Sequence, residues 1–445
     1  MKGSNSQGLV LILATAIGQG SLYSGCQLVV HSVREGVRMS VRKTLRNALV
    51  LGVSAALVFA GSTAANAAPK NVEVSVISST SGGLKPFGDA YVAGLEWGLN
   101  YFTKGTMTVN NQKIVLTKYD DGGLPDTATT HFKTAVGKGS KIVVGTVSSG
   151  VALALAPQAA QNKVLYISGP AKMFLITQRG SQFSNKYTFR SGVQTEQDLI
   201  PIKGALGNSI AGKRIVLFVE DNAFGDAYIS AAPKLFPGAT VVGQKVTGTK
   251  SDYTADVLRL KQSNPDTVFV AWSNTATSLA MWTAMRQQGV LGNTKIVTGL
   301  AQTAAYPIFG QLLGSQNVIY SSSYFPGAST NTIGNALRAD YRKANPSAAP
   351  FYGEDLFTPD GVTAAQMIVR ALSMKANKKT GRTGINAMIK GLENWKFTSM
   401  KGITTIRKED HALIQPMYQS RLERDGANFI PKLVKLYPNA APPLN

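Results

Sequence analysis

Residues 145–157, GTVSSGVALALAP, set two serines and a glycine where the apolar run KIVV (141–144) gives way to a helix-forming stretch of small residues. Neither the first turn of that stretch nor the turn before it carries a charged side chain. A helix start presents unpaired N–H groups and a partial positive charge, so this point can hold an anion without a basic residue. Ser149, next to Ser148, adds a hydroxyl donor, and Gly150 lets a ligand approach the backbone closely. The same residues also read as a plain serine N-cap, and on the motif alone that reading ranks first. Pro157 is expected to bend or shorten the helix.

Other residue types capable of chemistry are sparse. Beyond residue 67 there are two histidines, His131 and His411, and neither has a metal-ligand partner at usable spacing. Nucleophile-elbow, phosphate-loop, CxxC and HExxH patterns are absent from the sequence. Asp120 and Asp121 are adjacent carboxylates at a strand end, but neighbours on an extended chain point apart, so a cap for the next helix is the expected role. Catalysis has no candidate, and no cofactor or metal is expected.

The elements that would position the serine turn repeat along the chain. Apolar β-branched runs at 72–78, 113–120, 141–147, 164–168, 214–220, 240–246, 267–272, 295–299 and 317–322 alternate with helix-length segments at 88–103, 125–137, 195–207, 251–263 and 275–289. Strand then helix, repeated, gives parallel sheets, and strands apolar on successive residues are covered on both faces. The fold class is therefore α/β, with two doubly wound lobes. In such sheets ligands bind beyond the carboxyl ends of the strands, where residues 145–157 begin.

The chain of 445 residues is 44% hydrophobic and 16% charged, which supports two folded cores. From Met39, three basic residues, an apolar run from Ala48 to Ala60 and the small-residue pattern Ala65-Asn66-Ala67 read as a secretory signal peptide over 39–67, cleaved after Ala67. Residues 1–38 read as an upstream segment from a start assigned too early. The single cysteine, Cys26, lies in that segment, so the exported protein relies on its cores and not on disulfides. The net charge of +22 stays strongly positive once these residues are removed. The basic residues are scattered and lack interleaved aromatics, so a solvated basic surface is expected and not a nucleic-acid platform.

Five segments in order, 144–172, 187–198, 214–227, 251–271 and 409–418, together resemble the periplasmic solute-binding proteins of branched-chain amino acid ABC importers, the Leu/Ile/Val-binding family. The resemblance covers about residues 71–437. It implies the type I periplasmic-binding-protein fold, two Rossmann-like lobes joined by three crossovers and closing on a ligand. It places one lobe at 68–189 plus 322–400 and the other at 190–321 plus 401–445. The implied partners are a small carboxylate or amino acid and an ABC permease. The protein is expected to be a monomer in the periplasm or extracytoplasmic space.

The resemblance also implies site residues. The ligand carboxylate would be held at Ser149, with Ser148 and Gly150 beside it, and by groups around Pro170, Ala171 and Lys172. Proline at 170 leaves only a carbonyl, and Lys172 replaces a threonine hydroxyl with a cation, pointing either into the cleft or to solvent. Phe87 and Phe224 match aromatic cleft positions, and Trp272, Ser273 and Asn274 lie where the ligand-facing residue of the second lobe falls. The family's ammonium-pairing glutamate is missing: Leu300 or Ala301 stands there, with Asp221 or Glu354 as substitutes. The expected ligand is therefore an aromatic or aliphatic carboxylate without an ammonium. The alternatives are branched-chain amino acid binding proper, or a sensing module on the same fold.

Overall fold

The computed structural model describes residues 68–207, 210–314, 318–346 and 355–444, which belong to one unit. The signal-peptide and upstream readings, and Glu354, lie outside the described residues.

The first sheet is built from β1 (Lys70–Ser78), β2 (Thr108–Val109), β3 (Gln112–Asp120), β4 (Ile142–Val144), β5 (Leu165–Ser168) and β6 (Thr188–Arg190) in the spatial order β2-β3-β1-β4-β5-β6. All but the β2–β3 pairing is parallel. Helices α1 (Lys85–Phe102), α2 (Pro125–Gly137) and α3 (Ser149–Asn162) connect its first strands. Helix α3 runs through Pro157 without ending there, so that residue does not shorten it.

After α4 (Thr195–Leu206) the chain enters a second sheet through β7 (Arg214–Glu220), α5 (Ala223–Leu235), β8 (Thr240–Val246), α6 (Thr254–Gln262), β9 (Thr267–Ala271), α7 (Thr275–Gln287), β10 (Lys295–Gly299), α8 (Tyr306–Leu313) and β11 (Val318–Ser322). It then returns to the first lobe as α9 (Thr332–Ala344), α10 (Thr358–Ser373) and α11 (Ile385–Leu392), where Trp97 of α1 donates to Asp340 of α9 at 2.9 Å. A last passage through β12 (Lys396–Ser399) and β13 (Gly402–Ile406) leads to β14 (Leu413–Asp425) and β15 (Asn428–Ala440) beside β11. Three passages thus join the lobes.

Strand residues that are apolar in succession serve two cores at once. In β7, Ile215, Leu217 and Val219 face one cluster with α5, while Val216 and Phe218 face another with α6 and α7. Each such side chain contributes about 1.5–3 kcal/mol through burial, so both faces of the strand are committed and its carboxyl end is fixed. The first cluster extends across the lobes, from Ile77 and Val143 to Leu217 and Phe269.

Candidate functional site

The carboxyl ends of β1, β4 and β5 face those of β7, β9 and β10 across a cavity of ≈ 690 Å³, within the usual range for a small-molecule site. Of the residues singled out from sequence, Phe87, Ser148, Ser149, Gly150, Pro170, Lys172, Phe224, Trp272, Ser273, Asn274 and Ala301 line it. Ala171 does not. It is 1% exposed in the core, with its N–H donating to Thr146 O and its carbonyl accepting from Arg190, because the strand-end turn points it inward.

At α3 the two serines divide their tasks. Ser148 is the N-cap: its hydroxyl accepts from Val151 N and donates to Gly123 O, both at 3.4 Å. Ser149 Oγ accepts from Met173 N at 3.2 Å, which leaves its O–H to donate. The N–H groups of this first turn add a positive end without any charged side chain. At Gly150 a Cβ would come no closer than 3.9 Å to its neighbours, so the glycine keeps the cleft side open and is not forced by packing.

Asp120 and Asp121 do not cap α2, whose N-cap is Leu124. Asp120 accepts from Thr80 N and Gly122 N. The buried Asp121 accepts from Ser79 Oγ, Gly123 N and Thr146 Oγ1, tying together the three loops at the strand ends. Burial pushes its pKa up against these donors. The loop after β5 is held similarly by Arg190, 1% exposed, which donates to Thr177 Oγ1 and to the carbonyls of Ala171 and Met173. Desolvation lowers its pKa to about 10.

Lys172 neither presents a free ammonium to the cleft nor extends into solvent. Its Nζ lies 2.6 Å from Asp198 Oδ2, with side-chain exposures of 11% and 3%, and that oxygen also accepts from Tyr228 Oη at 2.6 Å. The lysine therefore brings its own counter-charge, supplied by α4. Sequence reading missed Asp198 because it is 26 residues away on a helix whose inward face is not marked by periodicity.

The second lobe supplies aromatics and one further acid. Phe224 packs edge-on to Tyr228 with ring centroids 5.1 Å apart, while from the first lobe Phe87 packs edge-on to Phe357 at 5.2 Å. Trp272 stacks over Phe218 and donates to Thr277 Oγ1. Glu220, unmarked at sequence level beside Asp221, ends β7 at the cavity wall. Its carboxylate accepts from Asn274 N at 2.7 Å, Asn222 Nδ2 at 3.1 Å and Ser273 Oγ. Asp221 instead pairs with Lys245 at 2.6 Å. Neither histidine faces the cavity: His131 Nε2 lies 3.1 Å from Asp120 O, and His411 stacks on Phe189 at 3.7 Å. Among the described residues no cluster could hold a metal ion.

The lobes touch across this cleft. Thr275 Oγ1 donates to Gly83 O at 2.9 Å, and Thr303 donates through its N–H and its hydroxyl to Asp355 at 3.2 and 3.1 Å. Two doubly wound lobes joined by three passages, with a helix N-terminus and aromatic walls between them, define a cleft-binding protein. The chain matches the periplasmic binding protein family over residues 71–427 and belongs to it. That family is one of solute-binding proteins, not enzymes. The chain is similar to Leu/Ile/Val-binding protein homolog 3 of Brucella melitensis biotype 1, with 29% identity over 46% of this chain and 55% of that protein. It thus spans about half the length of that relative. It is similar to the solved structure of an ABC-type branched-chain amino acid transporter from Rhodopseudomonas palustris CGA009, with 28% identity, a TM-score of 0.65, and coverage of 84% of this chain and 99% of that one. The fold is shared with a solute-binding protein of an ABC transporter from R. palustris BisB5 in complex with 3,4-dihydroxy benzoic acid, with 20% identity, a TM-score of 0.70 and coverage of 84% and 99%.

Proposed function

We propose that this is the extracytoplasmic solute-binding protein of an ABC importer, capturing a small carboxylate between its lobes by hinge closure and delivering it to a membrane permease. The observation that carries the reading is the start of α3: Ser149 keeps an O–H to donate, beside free helix N–H groups, at the edge of an aromatic-lined cavity. A carboxylate there is held without a basic partner. The electrostatics around it favour a ligand with no ammonium. Lys172 is matched by Asp198, Asp221 by Lys245, and Glu220 by three protein donors, so no charge in the wall calls for a cation.

One observation favours branched-chain amino acid binding instead. Glu220 is a carboxylate at the cavity wall, and a carboxylate offers about four acceptor sites, one more than its three donors use. Titration calorimetry of the purified chain with leucine, valine, benzoate, 4-hydroxybenzoate and aliphatic acids separates the two. Binding of the acids alone supports the first reading, and tight leucine binding lost in Glu220→Gln supports the second.

A further inference from the structure

The two lobes repeat one plan. Their parallel strands run β3-β1-β4-β5-β6 in the first sheet and β8-β7-β9-β10-β11 in the second, so β1 corresponds to β7, β4 to β9 and α3 to α7. Both lobes therefore bring the start of the corresponding helix to the same cavity, Ser148 and Ser149 from one side and Asn274 and Thr275 from the other. By their backbones alone the two helix starts favour an anion equally.

The equivalence is broken at the strand ends. The first lobe ends β1 with Ser78, buried and neutral, whereas the second ends β7 with Glu220, 2% exposed at the cavity wall. Glu220 reaches across to α7, where its carboxylate accepts from Asn274 N at 2.7 Å and from Ser273 Oγ, the two residues that lead into that helix. At Gly248 a Cβ would stand 3.1 Å from Glu220 Oε1, so the loop after β8 closes on its other side. The second helix start is thus already taken by an anion of the protein's own. Asn222 Nδ2, at 3.1 Å, completes a set of neutral donors that satisfy the carboxylate's hydrogen bonds without cancelling its charge.

We propose that Glu220 is a specificity-determining residue, which restricts the solute to one carboxylate by holding a fixed negative charge at the helix start where a second would otherwise be favoured. Resting on the carboxylate anchor at α3, the proposal adds a rule for the rest of the ligand: the end that faces β7 and α7 carries no negative charge. Discrimination comes from repulsion built against the wrong solute. Glu220 acts through its field and not by contact, so its low exposure does not oppose the role, and like charges a few ångströms apart in a poorly solvated cleft repel strongly.

Titration calorimetry of the full-length chain compares each monoacid with its diacid: benzoate against terephthalate, and hexanoate against adipate. Wild type should prefer the monoacid at least about tenfold. In Glu220→Gln, which keeps the shape and removes the charge, that preference should fall by about tenfold. Wild type that binds monoacid and diacid alike, or a preference unchanged in Glu220→Gln, overturns the proposal. A second measurement takes the α3 hydroxyl out of the readout. In Ser149→Ala/Glu220→Ala the α7 start is vacated, so acetate at constant ionic strength should raise the melting temperature more than it does in Ser149→Ala alone, and neutral acetamide should not. Acetate that shifts both variants equally overturns the assignment of Glu220 to an anion position. If acetate separates the variants but neither monoacid binds wild type, the role of Glu220 at α7 stands and the carboxylate anchor at α3 fails.

Discussion

Replacing Lys172 with methionine keeps most of the stem and removes only the ammonium, which isolates the role of its ion pair. Lys172 and Asp198 lie 2.6 Å apart at 11% and 3% side-chain exposure, so solvent screens them little. At an effective dielectric constant of 20 their gross attraction is about 6 kcal/mol, most of it offset by the desolvation of both groups. The asymmetry decides the outcome. In Lys172→Met, Asp198 keeps the Tyr228 hydrogen bond on Oδ2 but has no cation, and its Oδ1 already lacks a partner. Breaking a buried pair from one side costs about 3–5 kcal/mol, whereas replacing both partners is nearly neutral. Urea unfolding should therefore show a lower midpoint for Lys172→Met and recovery of most of the loss in Lys172→Met/Asp198→Asn. A single variant costing under about 1 kcal/mol, or a double variant as unstable as the sum of the singles, refutes the pairing. Carboxylate affinity should stay within about threefold of wild type in the double variant, because the pair brings no net charge to the ligand. A hundredfold loss would instead assign the lysine to the ligand.

Ser149→Ala should weaken carboxylate binding at least about tenfold, since a donor to a charged acceptor is lost; calorimetry showing unchanged affinity would remove the serine from the anchor. Gly83→Ala should weaken binding by about tenfold with little change in stability, because the clash falls at the contact between the lobes and not inside the core of either. There a Cβ would stand 2.4 Å from Asn274 Oδ1, which is held as the cap of Ala276 N on α7. Burial holds the His411 pKa below its usual value, with its hydrogen bond to Thr188 O and the nearby Glu393 and Asp410 opposing the shift. Between the folded and unfolded pKa values the unfolded chain binds more protons. The stabilisation is therefore whole above about pH 6.5 and is lost as pH falls through the folded value. The difference in urea midpoint between wild type and His411→Gln should shrink from pH 7.5 to pH 5, and a constant difference would contradict it.

The alternation of strand and helix was legible because parallel strands need both faces apolar, and runs such as 214–220 carry that demand in consecutive residues. The turn at Ser148 and Ser149 was legible for the same reason: a strand end, a small residue and a helix start are local. What escaped was non-local. Asp198 meets Lys172 only because α4 packs beneath the loop after β5, and Arg190 fixes that loop from another strand. Asp120 and Asp121 read as a helix cap because capping is the usual local role of such residues. Their partners Ser79, Thr80 and Thr146 come from neighbouring loops that only the sheet brings together. Glu220 was overlooked beside Asp221 because strand register, not composition, decides which of two adjacent acids faces the cavity.

The central claim is that the α3 start anchors a carboxylate in the cleft between the lobes. The most direct measurement is titration calorimetry of 4-hydroxybenzoate and its amide, 4-hydroxybenzamide, into wild type and Ser149→Ala. The acid should bind wild type far more tightly than the amide, and Ser149→Ala should erase most of that difference. Equal affinity for acid and amide, or a difference that survives Ser149→Ala, would contradict the anchor.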